Sequence, residues 1–277
     1  SEEIPGVEQK IGWFDAARFR LVLQYFKPQK PKGTVFVLHG YFDHTGIYAH
    51  LIRHLLQQQF AVIIYDLPGH GLSSGTQTAI DSFDQYQQIL KTVLNLCKEK
   101  TPEPFYAIGQ STGCAELFEF VVCNNNASTS RAFKKVVLLA PLIKPRSWRS
   151  VVVLLAVIKP FLKTWKRTFS NNSSNKQFKQ FVRDIDPLQS RFMAVNWIAA
   201  LKKWIVKIEH APVANVDMTI IQGQKDTTVD WKNNIPFIKQ KIPHVGVYYL
   251  PEGRHHLVNE SLELRQEVFT IIDEILS

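Results

Sequence analysis

Six short, largely apolar runs punctuate the chain, at residues 34–38, 61–65, 105–108, 136–140, 218–221 and 247–250. They lack the in–out alternation of a half-exposed strand, so each predicts a strand covered on both faces. Between them lie segments with helical spacing, at 47–59, 83–97 and 112–123. A last one, at 262–276, puts Leu264, Val268, Ile271, Ile272 and Ile275 on one face. Strands alternating with helices predict a largely parallel sheet flanked by helices, an α/β fold. Segments 10–14 and 19–25 flank a turn and predict an N-terminal hairpin.

The alternation fails once. Residues 142–208 show no convincing strand, only helix-like stretches separated by Pro160, a polar loop at 170–175 and Pro187. They are expected to form a helical insertion, with residues 1–141 and 209–277 as the core. The Asn- and Ser-rich loop has the composition of a flexible joint. Charge sharpens the division. The whole chain carries a formal +9, but the insertion holds fourteen Lys and Arg against Asp184 and Asp186, a net +12, leaving the remainder at −3. Four of the six tryptophans, Trp148, Trp165, Trp197 and Trp204, also lie there, as does the longest apolar run, the eight residues 151–158. Such a segment can line a hydrophobic tunnel or face a lipid surface with its cations against anionic headgroups, or pack on the core with a solvated basic face.

At 277 residues the chain can form one large α/β domain or two small ones. Cys97, Cys114 and Cys123 are odd in number and have no metal spacing, which argues against a disulfide framework or zinc site and fits a reducing compartment. No apolar run nears the ~18 residues of a membrane span. The polar N-terminus is no signal peptide, although a first residue other than Met leaves room for a trimmed leader. The expected location is the cytoplasm, with peripheral membrane contact through the insertion.

The chemistry concentrates in Gly109-Gln110-Ser111-Thr112-Gly113, between an apolar run and a helical segment. In that setting Gly-x-Ser-x-Gly is a nucleophile elbow, a turn so tight that flanking side chains would collide, with the hydroxyl exposed at a helix head. A glycine-rich loop whose serine caps the helix is the plainer alternative. A nucleophilic serine needs a base and the base an orienting acid, both at the carboxyl ends of strands. Asp226 follows 219–223 at such an end, whereas Asp217 lies at the wrong end and Asp230 at the start of the next helix, suited to a cap. His255 follows the last run, and position alone does not separate it from His256. The order Ser111, Asp226, His255 is that of the α/β-hydrolase fold. The oxyanion donors would be the backbone amides of Thr112 and Tyr41, with His39 bracing the Tyr41 loop.

Five ordered motifs carry a family resemblance. They are His39-Gly40 with Asp43-His44 and Tyr48, the segment 66–75, Asp186-Pro187-Leu188, the loop 223–229, and Arg254-His255-His256-Leu257-Val258-Asn259-Glu260. Together they resemble the signature segments of monoacylglycerol lipases and bacterial lysophospholipases, over about residues 10–277. The resemblance implies an eight-stranded core with a helical cap over the active site, no cofactor, and the catalytic histidine at His255. Three residues depart from the pattern: Gln110 replaces the usual histidine, Thr112 the usual methionine, and Cys114 a common second glycine. The Thr112 amide serves whatever its side chain, so the departures bear on pocket shape and substrate choice.

The expected reaction is hydrolysis of a monoacyl lipid ester, a monoacylglycerol or lysophospholipid, through an acyl-serine. A broad small-ester carboxylesterase is the nearest alternative. A peptidase of this fold would need acidic cap residues to grip an amino terminus, and this cap holds only Asp184 and Asp186. An epoxide hydrolase or dehalogenase would need aspartate at 111. A silent binding scaffold would have lost a triad member, and a nucleic-acid binder would leave the constellation unexplained, so no nucleic-acid partner is expected.

Overall fold

The computed structural model describes residues 6–123 and 132–277; the polar N-terminal residues 1–5 lie outside them. The main sheet comprises β1 (Glu8–Ala16), β2 (Phe19–Lys27), β3 (Thr34–Leu38), β4 (Ala61–Tyr65), β5 (Phe105–Gln110) and β6 (Lys135–Leu139). Two further strands complete it after an insertion that itself contains β7 (Thr164–Lys166) and β8 (Phe192–Ala194), namely β9 (Met218–Gly223) and β10 (Gly246–Leu250). The spatial order is β1-β2-β4-β3-β5-β6-β9-β10. β1 and β2 form the predicted hairpin, β2 runs antiparallel to β4, and the other pairings are parallel.

Successive side chains of a strand point to opposite faces, and in β3, β4, β5, β6 and β9 both faces are covered; β10, expected to be covered likewise, is an edge strand that leaves Tyr248 and Tyr249 exposed. Val35, Val37, Val62 and Ile64 join one core layer with Leu51 and Leu55 of α1 (Ala49–Gln57) and Val268 and Ile272 of α8 (Leu262–Leu276). Phe36, Leu38, Ile63 and Tyr65 join the other, with residues of α2 (Asp84–Cys97), α3 (Thr112–Cys123) and α7 (Trp231–Lys241). This double burial is why the strand sequences do not alternate. Each fully buried large aliphatic or aromatic side chain contributes about 1.5–3 kcal/mol.

Between β6 and β9 the chain forms α4 (Trp148–Ile158), α5 (Lys176–Gln180) and α6 (Val195–Glu209) in addition to β7 and β8. The expectation of a strand-free insertion is corrected: β7 and β8 pair antiparallel, Thr164 opposite Ala194 and Lys166 opposite Phe192. Three residues are too few for an alternation to register, and β7 is exposed throughout. Two of the insertion's tryptophans are packing residues. Trp197 and Trp204 are buried, with their ring N–H groups donated to Tyr86 Oη at 3.1 Å and Glu119 Oε2 at 2.9 Å. On α4, Leu155 and Ile158 turn inward while Val153 and Val157 are exposed.

The 170–175 loop is not the flexible joint its composition suggested. The Asn172 carbonyl accepts the amides of His255 and His256 at 3.1 and 2.8 Å. Ser173 Oγ donates to the Asn259 carbonyl at 2.8 Å, and both the amide and hydroxyl of Ser174 donate to one Glu260 oxygen. The other Glu260 oxygen accepts the Arg254 amide at 2.6 Å. A fully buried carboxylate thus fastens the insertion to the His255 segment. Removing it leaves several buried donors unmet, so Glu260→Ala is expected to lower the unfolding free energy by about 3 kcal/mol or more. Urea denaturation checks this, and an unchanged midpoint at unchanged slope would contradict it.

Candidate active site

β5 ends at Gln110 and α3 begins at Thr112, so Ser111 alone makes the turn. Its φ is +51°, a left-handed conformation that costs a residue with a side chain about 1–3 kcal/mol. Its neighbours hold it there. The Ser111 amide donates to the Leu139 carbonyl at 3.0 Å, and the Ser111 carbonyl accepts the Cys114 and Ala115 amides at 3.1 and 3.2 Å. A Cβ on Gly109 would lie 2.7 Å from the Gly113 and Cys114 backbones, and one on Gly113 only 2.1 Å from the Leu38 carbonyl oxygen of β3. Both glycines are therefore demanded by close approach. Phe42 after β3 and Ala140 after β6 are also left-handed, at +72° and +48°, so strained backbone clusters at this edge of the sheet.

Asp226 and His255 meet at the same edge, in the loops after β9 and β10. His255 Nδ1 lies 2.8 Å from Asp226 Oδ2. The second Asp226 oxygen accepts the amides of Thr228 and Val229 at 2.7 and 3.2 Å. Burial opposes charge on both groups, but the mutual attraction and hydrogen bonding outweigh it. The Asp226 carboxyl is held below the usual carboxylate range, and the His255 imidazole binds its proton more tightly than a free histidine, with Asp43 adding to the effect. Adjacent His256 has a different partner, Asp43 Oδ1 at 3.2 Å. His39 braces its loop as expected: Nδ1 donates to the Gly40 carbonyl at 2.8 Å and Nε2 accepts the Leu67 amide at 2.9 Å.

Ser111, His255, Tyr41 and Thr112 line one cavity of about 240 Å³. Among the described residues the amides of Tyr41 and Thr112 have no backbone or side-chain acceptor. The insertion supplies an apolar wall: Trp148 and Val151 of α4, Met193 of β8, and Trp197, Ile198 and Leu201 of α6. The Tyr41 ring stacks on Trp197 at 3.8 Å, and its hydroxyl donates to the Thr78 carbonyl at 3.0 Å and accepts the Ala194 amide at 3.2 Å. The loop that carries the Tyr41 amide is thereby clamped under the insertion.

Several contributors left little trace in the sequence. Gln110, expected to reshape the pocket, does not line it. Its buried Nε2 donates to the His255 carbonyl at 2.9 Å, so the departure acts on how the histidine is held. Cys114 is likewise behind the turn, its Sγ 3.0 Å from the Gly109 carbonyl. Asp186 pairs with buried His44 at 2.7 Å, and Asp230 does not cap its helix but accepts from Asn233. Arg167 reaches the cavity, a role nothing distinguished among the fourteen basic residues of the insertion. Among the described residues no cluster of His, Cys, Asp and Glu is arranged to hold a metal ion.

Comparison with known proteins places this geometry. Residues 29–262 match the family described as "Serine aminopeptidase, S33". The chain belongs to that family. Its fold is the α/β-hydrolase fold, and it is monoacylglycerol lipase-like. The hydrolase is 27% identical to human monoglyceride lipase over 260 residues, covering 90% of this chain and 84% of that protein. It is 24% identical to the Bacillus subtilis phospholipase YtpA over 248 residues, 88% and 95% of the two chains. A soluble variant of the Saccharomyces cerevisiae monoglyceride lipase, solved with a substrate analogue, superposes with a TM-score of 0.82 at 18% identity, covering 100% of this chain and 97% of that one.

In this hydrolase the proton affinity of His255 depends on its carboxylate. The ring should titrate above the ordinary value of 6.5, and Asp226→Asn should lower that pKa because burial then acts with less opposition. Histidine ring NMR between about pH 5 and 9 reads both values, and an unshifted titration in the variant would contradict the pairing.

Proposed function

We propose that the protein hydrolyses the single ester bond of a monoacyl lipid, a monoacylglycerol or lysophospholipid, with Ser111 as nucleophile, His255 as base and Asp226 as orienting acid. It is a carboxylic ester hydrolase, in keeping with its relatives. The observation that supports the triad is the 2.8 Å His255–Asp226 contact in the cavity that also exposes Ser111 at its strained turn. With Nδ1 committed to Asp226, Nε2 is the nitrogen left to take the serine proton. The serine oxygen attacks the ester carbon, and the Tyr41 and Thr112 amides receive the developing oxyanion. Protonated His255 then passes its proton to the leaving alcohol, and water repeats the cycle on the acyl-serine. The apolar wall from α4, β8 and α6 takes the acyl chain.

The family's aminopeptidase description suggests a second reading, which the structure does not favour. Asp186 is paired with His44 and Asp184 with Arg183, and neither lines the cavity, so neither is free to hold an amino terminus. Residues 142–208 act in this proposal as a cap that selects and shelters the acyl group. Among the described residues no helix is long and apolar enough to cross a membrane. The exposed Val153, Val157, Phe161 and Leu162, set among lysines and arginines, support peripheral contact with an anionic membrane.

Ser111→Ala should reduce fatty-acid release from 1-oleoylglycerol and 1-oleoyl-lysophosphatidylcholine by at least ~10⁴-fold with the fold intact by circular dichroism. Near-full activity in the variant would sink the assignment. For any ester the wild type cleaves, activity requires neutral His255, so kcat/KM should fall as pH drops through a pKa above 6.5. Binding to anionic vesicles should exceed binding to zwitterionic ones and weaken with salt; equal binding would remove the membrane contact but not the esterase reading.

A further inference from the structure

Arg167 follows β7, and its amide donates to the Arg191 carbonyl at 2.9 Å, so its backbone extends the β7–β8 ribbon. Its guanidinium lies over two rings, 4.0 Å from the centre of Phe42 and 4.4 Å from that of Phe169. Arg191 approaches the same Phe169 ring at 5.3 Å. Two guanidinium groups therefore share one aromatic ring. Their hydrogen-bond partners are all neutral: Arg167 Nη1 donates to Gln189 Oε1 at 2.8 Å and the Ser190 carbonyl at 3.3 Å, and Arg191 donates to the Arg183 carbonyl. Lys179 meets only Asn171 Oδ1, at 2.6 Å. Among the described residues no carboxylate lies within ion-pair distance of Arg167, Arg191 or Lys179. Other cations of the chain do find acids, as Lys207 finds Asp84 and Glu119.

A partly buried guanidinium with no ion-pair partner, only the longer-range attraction of Asp43 and Asp186, is costly unless something else compensates it. The flanking rings supply part through cation–π attraction. Burial lowers the Arg167 pKa to about 10, which still leaves it charged at neutral pH. Its five N–H donors lie in one plane, and only Nη1 has acceptors, so the remaining edge is free to grip two oxygens of an oxyanion. Position adds the decisive point. Arg167, Ser170 and Asn172 line both the cavity of Ser111 and His255 and an adjoining cleft of about 230 Å³ that includes Lys179.

We propose that Arg167, supported by Lys179 of the adjoining cleft, forms a phosphate-binding subsite beside the reacting ester and makes a lysophospholipid the preferred monoacyl substrate. This deepens the proposed function and rests on it. The acyl chain lies along the apolar wall, the ester at Ser111, and the phosphate, three glycerol carbons away, against the free edge of Arg167. A monoacylglycerol fits the same acyl wall but brings no charge to the cations.

The test compares kcat/KM for 1-oleoyl-lysophosphatidylglycerol and 1-oleoylglycerol, both presented in one uncharged detergent micelle. The wild type should prefer the phosphate-bearing lipid by at least ~10-fold. Arg167→Met should bring the ratio near parity, and Arg167→Lys should retain part of it. An unchanged ratio in Arg167→Met, or equal losses on both lipids, would overturn the subsite while leaving the monoacyl-ester reading intact. Hydrolysis of neither lipid by the wild type would remove both. If Arg167→Met does not fold, the wild type decides: glycerol 3-phosphate should inhibit hydrolysis of 1-oleoylglycerol competitively at concentrations where glycerol does not, and equal inhibition would overturn the subsite.

Discussion

One strained residue organises this molecule. Ser111 sits at φ +51° because β5 must stop and α3 must start with a single residue between them. The turn survives only if α3 lies almost in contact with β3, so close that a Cβ added at Gly113 would fall 2.1 Å from the Leu38 carbonyl oxygen. That approach in turn requires a sheet buried on both faces, with helices pressed close to it. The strain is local, but the packing that offsets it extends over the whole core. What the packing achieves is a serine at the sheet edge that lines one cavity with the Tyr41 and Thr112 amides, which have no acceptor among the described residues.

The insertion is bound to each part of that edge separately. Asn172 holds the His255 backbone, Trp197 holds the Tyr41 ring, and Asp186 holds His44 in the loop that begins at His39. Gln110 closes the arrangement from below, tying the residue before the serine to the carbonyl of the histidine. The residues proposed to do chemistry are therefore positioned by polar contacts between segments far apart in the chain. Most of the apolar wall of the cavity belongs to the insertion, with Tyr41, Phe42 and Val229 added from the core, so substrate choice can change in the insertion without disturbing the turn. Arg167 illustrates the same division: it lines the cavity of Ser111 from the insertion, on independent backbone.

Much of this was legible in the sequence because the signals were local. Continuous apolar runs marked six strands of the main sheet and a turn signal the hairpin of the other two, and the α3 and α8 spans came out as periodicity placed them. Strand-end position singled out Asp226 and the pair His255 and His256, the motif at 254–260 pointed to His255, and in three dimensions the two have different partners, Asp226 for one and Asp43 for the other. The misses share a cause. Residues 170–175 have the composition of a joint, but their acceptor Glu260 is more than eighty residues away in the chain. Gln110 looked like a pocket residue because sequence adjacency to Ser111 does not reveal which way a strand-end side chain points. β7 and β8 carry no periodicity at three residues each, and Arg167 was one cation among fourteen.

The most direct test of the central claim is covalent. A serine-directed fluorophosphonate reacts with a hydroxyl that a neighbouring base has activated, and peptide mass analysis locates the adduct. One adduct, on Ser111, is predicted, with the reaction slowed strongly by His255→Ala. No adduct, or modification at another serine while Ser111 stays unmodified, would contradict the assignment of this turn as the seat of catalysis.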